Sequence, residues 1–202
     1  MSTNGQEINK RSTHRLGGTT GFLILGSLLF LSCADPSTDS TIAPSIELPS
    51  YPIQWVSEKE RQPVDLSGTF QTIEGENISL LDASAEGNVV FLNLWATWCG
   101  PCLAEMPSMV SLYENLSGNG LAMVAVSDED PETVQKFLQG KSYPFTILLD
   151  PENILGQRFE VMAIPSTLII DRQKRMALRH TGAYDWTSPE VFEQFRPLLA
   201  GN

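Results

Sequence analysis

Two cysteines, Cys99 and Cys102, lie in the run Trp98-Cys99-Gly100-Pro101-Cys102, and two thiols at that spacing can exchange with disulfides. The reacting species is a thiolate, so one sulfur must be made more acidic than an ordinary thiol. If Cys99 opens a helix, the unpaired N–H groups of the first turn and the aligned peptide dipoles favour its anion. Cys102 then sits one turn further in, close enough for a disulfide yet shielded, and resolves any mixed disulfide formed at Cys99. Pro101 costs little in a first turn, where an N–H has no helical partner in any case. Two other uses of the pair are weaker. A structural disulfide closing so short a loop removes little chain entropy. A tetrahedral metal site is short of ligands, because Cys33 is the only other cysteine and His14 and His180 are the only histidines. No metal is expected, and no cofactor, since no nicotinamide or flavin fingerprint is present.

These roles need a strand that ends just before Cys99 and a helix that starts there. Residues 89–95, Val-Val-Phe-Leu-Asn-Leu-Trp, form a continuous apolar run of the kind a central strand needs when both its faces are covered. A helix is predicted over about 99–116, stopped by Gly118-Asn119-Gly120. Upstream, residues 70–72 and 78–80 alternate around Glu74-Gly75-Glu76-Asn77 and read as a hairpin. Downstream, 121–127 reads as a buried strand, Asp130-Pro131 opens a helix to about Gln139, and 145–149 is a third buried strand. A short helix near 154–159, strands at 167–170 and 176–180, and a helix over 189–199 capped by Ser188 complete the order. The expected class is α/β, a central mixed sheet flanked by helices. Trp95 and Trp98 are expected to pack against the motif, Trp186 to cap a core edge, and His180 to sit on a strand surface. Asp128-Glu129-Asp130 reads as a solvated helix start that suits the local dipole.

The N-terminus reads as an address. Lys10, Arg11, His14 and Arg15 precede an uncharged run over 16–31, the pattern of a secretory signal peptide occupying residues 1–32. It ends in Leu29-Phe30-Leu31-Ser32-Cys33, which resembles a bacterial lipobox except that Phe30 replaces the usual leucine. An acylated Cys33 anchors the chain, each buried methylene adding about 0.8 kcal/mol. An uncleaved signal anchor is the alternative, and the run is short of the ~20 residues that span a bilayer. Residues 33–60, with Pro36, Pro44, Pro49 and Pro52, read as a lipid-anchored flexible linker, and 61–202 as one folded domain. Tyr51, Ile53 and Trp55 are more apolar than a tether requires. A formal net charge of -11 repels phosphate backbones, so nucleic acid is not an expected partner.

The stretch from Phe91 through Trp98-Cys99-Gly100-Pro101-Cys102-Leu103-Ala104-Glu105-Met106-Pro107, together with Ile164-Pro165-Ser166-Thr167 and Leu168-Ile169-Ile170-Asp171, resembles the thioredoxin superfamily. Within it, the chain is similar to the TlpA/ResA-like extracytoplasmic thiol:disulfide oxidoreductases over about residues 65–199. The resemblance implies a thioredoxin-like fold with an N-terminal hairpin and a helix-strand insertion between Asp130 and Leu149. It implies that Cys99 and Cys102 form the redox disulfide and that Pro165 is cis and faces it. The backbone of Ile164 is then free to pair with an extended substrate strand, and Trp98, Gly100 and Pro101 complete the substrate-binding surface. Pro107 matches a structural proline of the active-site helix. Asn93 stands where thioredoxin carries a buried aspartate and cannot exchange a proton. Glu105, three residues after Cys102 on the same helical face, matches a glutamate that this subfamily uses beside its cysteines. Partly buried, it is expected to raise thiol pKa values and to accept the Cys102 proton.

The resemblance further implies a membrane-tethered reductase of cysteine-containing exported proteins, with apocytochrome c as a client and a DsbD/CcdA-type membrane protein as electron donor. Gly-Pro between the cysteines is similar to reducing thioredoxin, at about -270 mV, more than to the oxidant DsbA, at about -120 mV. A disulfide-forming oxidase and a non-catalytic docking module are the rival readings. A peroxidase is disfavoured, because such enzymes place a proline and a hydroxyl residue just before the attacking cysteine, and here Thr97 stands alone. For the anchor, radiolabelled palmitate is expected to label the wild-type chain in a bacterial host and not Cys33→Ala; equal labelling of the two removes lipidation at Cys33.

Overall fold

A computed structural model describes residues 53–85 and 88–200; the expected signal peptide, Cys33 and most of the tether lie outside the described residues. In chain order the elements are β1 (Thr69–Thr72), β2 (Asn77–Ser79), α1 (Leu80–Ala83), β3 (Val89–Trp95), α2 (Gly100–Leu116), β4 (Leu121–Ser127), α3 (Pro131–Leu138), β5 (Thr146–Leu149), α4 (Ile154–Arg158), β6 (Ser166–Ile170), β7 (Met176–Thr181) and α5 (Pro189–Ala200). They build one seven-stranded mixed sheet in the order β2-β1-β5-β4-β3-β6-β7. The hairpin, the βαβ alternation and the helix-strand insertion expected from sequence are all present. The insertion, α3 and β5, widens the sheet by one parallel strand between β4 and β1.

β3 runs through the middle of the sheet. All seven of its residues are buried, it pairs parallel with β4 from Val89↔Leu121 to Trp95↔Ser127, and antiparallel with β6. Alternate side chains serve opposite cores. Val89, Phe91 and Trp95 join Met106, Met109 and Leu112 of α2, with Val134 of α3 and Phe195 of α5, whereas Val90, Leu92 and Leu94 pack with Leu80 of α1 and Leu155 of α4. Asn93 belongs by parity to the α2 face and is the one polar side chain on the strand. Gly120 ends the turn after α2 at φ 93°, and a Cβ there would lie 2.7 Å from the Arg172 guanidinium.

Packed chain begins before residue 61. Ile53 is buried, Trp55 bridges Leu178, the Val56 N–H donates to Ala177 O at 2.8 Å, and Trp55 meets the Phe195 ring edge-on. This segment covers the outer hydrogen-bonding edge of β7, which would otherwise be a bare sheet edge; the apolar excess of Ile53 and Trp55 thus has a packing cause.

Buried Asp171, in the turn between β6 and β7, ties this segment down. It accepts from the backbone N–H groups of Gln173 and Arg175, from Arg175 Nε at 2.9 Å and from Arg61 Nη1 at 3.2 Å. Burial alone would raise its pKa, but these hydrogen bonds and the Arg175 charge outweigh it and hold the carboxyl below its ordinary value. Its stabilising contribution is therefore present above the unfolded pKa of about 3.9 and is lost as pH falls through the depressed folded value. Asp171→Ala is expected to lower stability at pH 7 by about 3 kcal/mol in urea unfolding, with the difference from wild type shrinking below about pH 4.

Candidate active site

β3 delivers the chain to the edge of the core at Trp95, and the turn over residues 96–99 is closed by Cys99 N–H donating to Ala96 O at 3.1 Å. Cys99 then caps α2, its backbone extended at φ -81° and ψ 96°, and its sulfur accepts from the Cys102 N–H at 3.2 Å. Cys99 and Cys102 are bonded to each other, S–S 2.04 Å, so this is the oxidised form of the pair. Both sulfur-bearing residues are buried, whereas Gly100 and Pro101 are exposed. The capping sulfur receives one of the free N–H groups of a 17-residue helix, that of Cys102, a position that favours an anion.

The two tryptophans of the motif separate. Trp95 is buried, its ring 5.7 Å from that of Phe137, but Trp98 is 72% exposed and does not pack back onto the motif as expected. Trp98 instead forms one wall of a cavity of about 410 Å³, whose other walls include Leu94, Val126, Met162 and Ile164. Met162 is 93% exposed. Ser166 pairs with Leu94, which brings Pro165 to the end of β3 where the cysteine turn begins. The Ile164–Pro165 peptide bond is cis, as the resemblance implies. Trp98 and Ile164 thus line one cavity, which Asp128, Asp150 and Asn153 also border.

Glu129 departs from its reading as part of a solvated helix start. Its carboxylate accepts from the Thr97 N–H at 2.6 Å, the Thr97 hydroxyl at 2.7 Å and the Ser127 hydroxyl at 3.2 Å. It therefore clamps the turn that carries Trp98 and Cys99 to the end of β4. Only Asp130 behaves as the helix start, capping α3 through the N–H groups of Glu132 and Thr133. No spacing in the sequence marks the clamp, because its two halves are far apart in the chain and meet only through the parallel β3–β4 pairing.

Glu105 is not partly buried but completely so. Its Oε1 accepts from Asn93 Nδ2 at 2.9 Å, and its Oε2 from the Tyr184 N–H at 3.0 Å and Trp186 Nε1 at 3.1 Å. All three donors are neutral. Burial pushes its pKa up to about 7, against the opposing pull of these hydrogen bonds. Trp186, rather than capping a core edge, is fully buried, edge-on to Phe91 at 4.8 Å. Ser108, one turn beyond Glu105, accepts from the Trp186 N–H at 3.2 Å and fixes the same loop. His180 is half-buried against the rings of Tyr184 and Trp186 rather than on an open strand surface, and burial lowers its pKa. Among the described residues no cluster of His, Cys, Asp or Glu is placed to hold a metal ion.

A bonded cysteine pair at the start of the helix leaving the central strand of such a sheet, with a cis-proline loop at the same strand end, defines a thioredoxin-fold thiol-disulfide oxidoreductase. Residues 43–179 match the AhpC/TSA family, and the chain belongs to it. It is 33% identical over 131 residues to the thiol-disulfide oxidoreductase ResA of Halalkalibacterium halodurans, covering 64% of this chain and 72% of that one. Its identity to ResA of Bacillus subtilis is 32% over 114 residues, 56% of this chain and 63% of the relative. A Chlorobium tepidum structure, described as a candidate thiol:disulfide interchange protein DsbE, is 26% identical with a TM-score of 0.62, covering 69% of this chain and 97% of that one. A secreted thiol-disulfide isomerase from Corynebacterium glutamicum shares the fold at a TM-score of 0.64 and 22% identity, covering 76% and 95%.

The raised pKa of Glu105 has a stability signature. Its folded value near 7 lies above the ordinary 4.5, so the folded oxidised state holds this proton more tightly than the unfolded chain. Stability is then lost as pH rises between those values and is level above about 7. Relative to Glu105→Gln, the oxidised wild type is expected to lose about 3 kcal/mol between pH 4.5 and 7, measured by denaturant unfolding at each pH.

Proposed function

We propose that this chain is an extracytoplasmic, membrane-tethered reductase of disulfides in exported proteins. The observation that carries the reading is the reactive pair itself, Cys99 capping α2 and Cys102 buried one turn behind it, with the buried Glu105 carboxyl a turn further on.

In the reduced protein the Cys99 thiolate attacks one sulfur of a substrate disulfide. A bond forms from Cys99 Sγ to that sulfur, and the other substrate sulfur leaves as a thiolate. Cys102 then gives its thiol proton to the Glu105 carboxylate, and its sulfur displaces the substrate from Cys99. The protein ends oxidised as the Cys99–Cys102 disulfide, and the substrate has gained two electrons and leaves as a dithiol. A carboxylate near neutrality suits this task, since it is ionised often enough to take the proton and weakly basic enough to return it. An anion beside the sulfurs also disfavours thiolates and so favours the oxidised protein, which makes the dithiol a better reductant.

The substrate lies extended across the exposed surface of Trp98, Gly100 and Pro101 and pairs with the backbone of Ile164 beside Pro165. The cavity between Trp98 and Ile164, lined by apolar side chains and by Asp128, Asp150 and Asn153, takes a side chain next to the substrate cysteine. Residues 1–32 export the chain, Cys33 carries the lipid anchor, and the proline-rich segment after it is the tether. No helix among the described residues is long and apolar enough to cross a membrane. Electrons come from a DsbD/CcdA-type membrane thiol donor, and apocytochrome c is a client whose haem-attachment cysteines need to be reduced.

The reduced protein is expected to cleave insulin disulfides, with Cys99→Ser/Cys102→Ser inactive and Cys102→Ser accumulating a mixed disulfide at Cys99. The potential of the pair is expected nearer to about -270 mV than to about -120 mV. Insulin cleavage that survives in the double variant removes the catalytic reading, and a potential at the oxidising end reverses its direction.

A further inference from the structure

Asn93 sits at the middle of the central strand, 1% exposed, and its amide is only half satisfied. Nδ2 donates both to Glu105 Oε1 and to Thr167 Oγ1, each at 2.9 Å. Oδ1 has no partner among the described residues. A buried amide oxygen left without a donor is costly, and an asparagine can usually avoid such a cost by turning over. Here it cannot while Glu105 is ionised, because turning over would set Oδ1 against a carboxylate oxygen in place of the amino group that binds it. The orientation observed is thus the one an ionised Glu105 demands.

A protonated Glu105 demands the opposite. Oε2 faces the Tyr184 N–H and the Trp186 indole N–H, fixed donors that cannot become acceptors, so the incoming proton belongs on Oε1. There it meets Asn93 Nδ2, a donor facing a donor. We propose that Asn93 is a positioning residue whose amide turns over when Glu105 takes up a proton, giving the acid a hydrogen-bond partner in both of its protonation states. After the turn Oδ1 accepts from the Glu105 O–H and from the Thr167 hydroxyl, which is free to rotate its hydrogen. One end of the amide lacks a partner in either state; only the end that faces the acid changes.

The proposal rests on the reading of Glu105 as proton acceptor and deepens it. The proton leaves Cys102 Sγ and joins Glu105 Oε1, no electrons move in that step, and the amide rotation follows the proton. An aspartate at position 93 would bring a second ionisable acid to the pair, and an aliphatic residue would leave the acid without a partner at Oε1. The other ionisable groups around Glu105 are Cys102 on α2, His180 on β7, and the Tyr184 phenol and exposed Asp185 in the loop that follows. His180 stacks on the Tyr184 and Trp186 rings with centroids 5.4 and 6.1 Å away, so its titration has to be separated from that of Glu105.

The test is a pH titration of the oxidised wild-type protein by NMR, following Glu105 Cδ and the Asn93 side-chain Nδ2 signals between about pH 5 and 9. The Asn93 signals are expected to shift with the same midpoint as Glu105, and to become independent of pH in Glu105→Gln. If Glu105 titrates while the Asn93 signals stay fixed, or if they still shift in Glu105→Gln, the turnover is refuted and the role of Glu105 stands. If Glu105 does not titrate in this range, both fall.

Discussion

A single carboxylate, taken out of water and held by three neutral donors, joins the parts of this molecule that matter for its chemistry. Glu105 comes from α2, which carries the cysteines; Asn93 comes from the central strand; Tyr184 and Trp186 come from the loop after the last strand. Ionising such a group inside a protein is unfavourable without a counter-charge, and burial duly raises its pKa to about 7. The surrounding donors keep the anion tolerable without making it permanent. That balance leaves Glu105 able to exchange a proton near neutral pH.

The electrostatics at the two ends of the reactive pair run in opposite directions. Cys99 sits where the free N–H groups of α2 converge, and its sulfur already accepts one of them from Cys102, an environment that stabilises an anion. Cys102 and Glu105 lie one and two turns deeper, where desolvation works against charge. One helix therefore places one sulfur at its N-terminal tip and the other in its first turn, in environments of opposite character toward negative charge. The Glu129 clamp on Thr97 holds the turn that sets this geometry, and leaves Trp98 projecting beside the cavity that it shares with Ile164.

Much of the fold was legible because its signals are local. The apolar run of β3 and β4, the glycine turn of the hairpin, and the Asp130 cap with Pro131 at the start of α3 each need only a few neighbouring residues to be read. The reactive pair was legible for the same reason, since the strand, the cysteines and the first helical turn are contiguous. The misreadings share the opposite property. Glu129 looked solvated because its partner Thr97 lies across the β3–β4 pairing, and Trp186 looked peripheral because its partner Glu105 lies on a helix far earlier in the chain; the apolar excess of Ile53 and Trp55 was visible, but not the β7 edge that they cover.

What the amino-acid order determined by itself is therefore the chemistry in outline: two thiols three residues apart at a strand-to-helix junction, a glutamate one turn on, and a proline motif of matching type downstream. What only the tertiary structure decided is how those groups are tuned. Whether Glu105 is a surface charge or a buried acid with a pKa near neutrality depends on the loop of Tyr184 and Trp186 folding over it. The physical reason is that spacing along a chain settles which groups can be neighbours on one element, whereas solvent exclusion, which sets the energy of a charge, is produced by elements that are distant in sequence and meet only when the sheet closes its core.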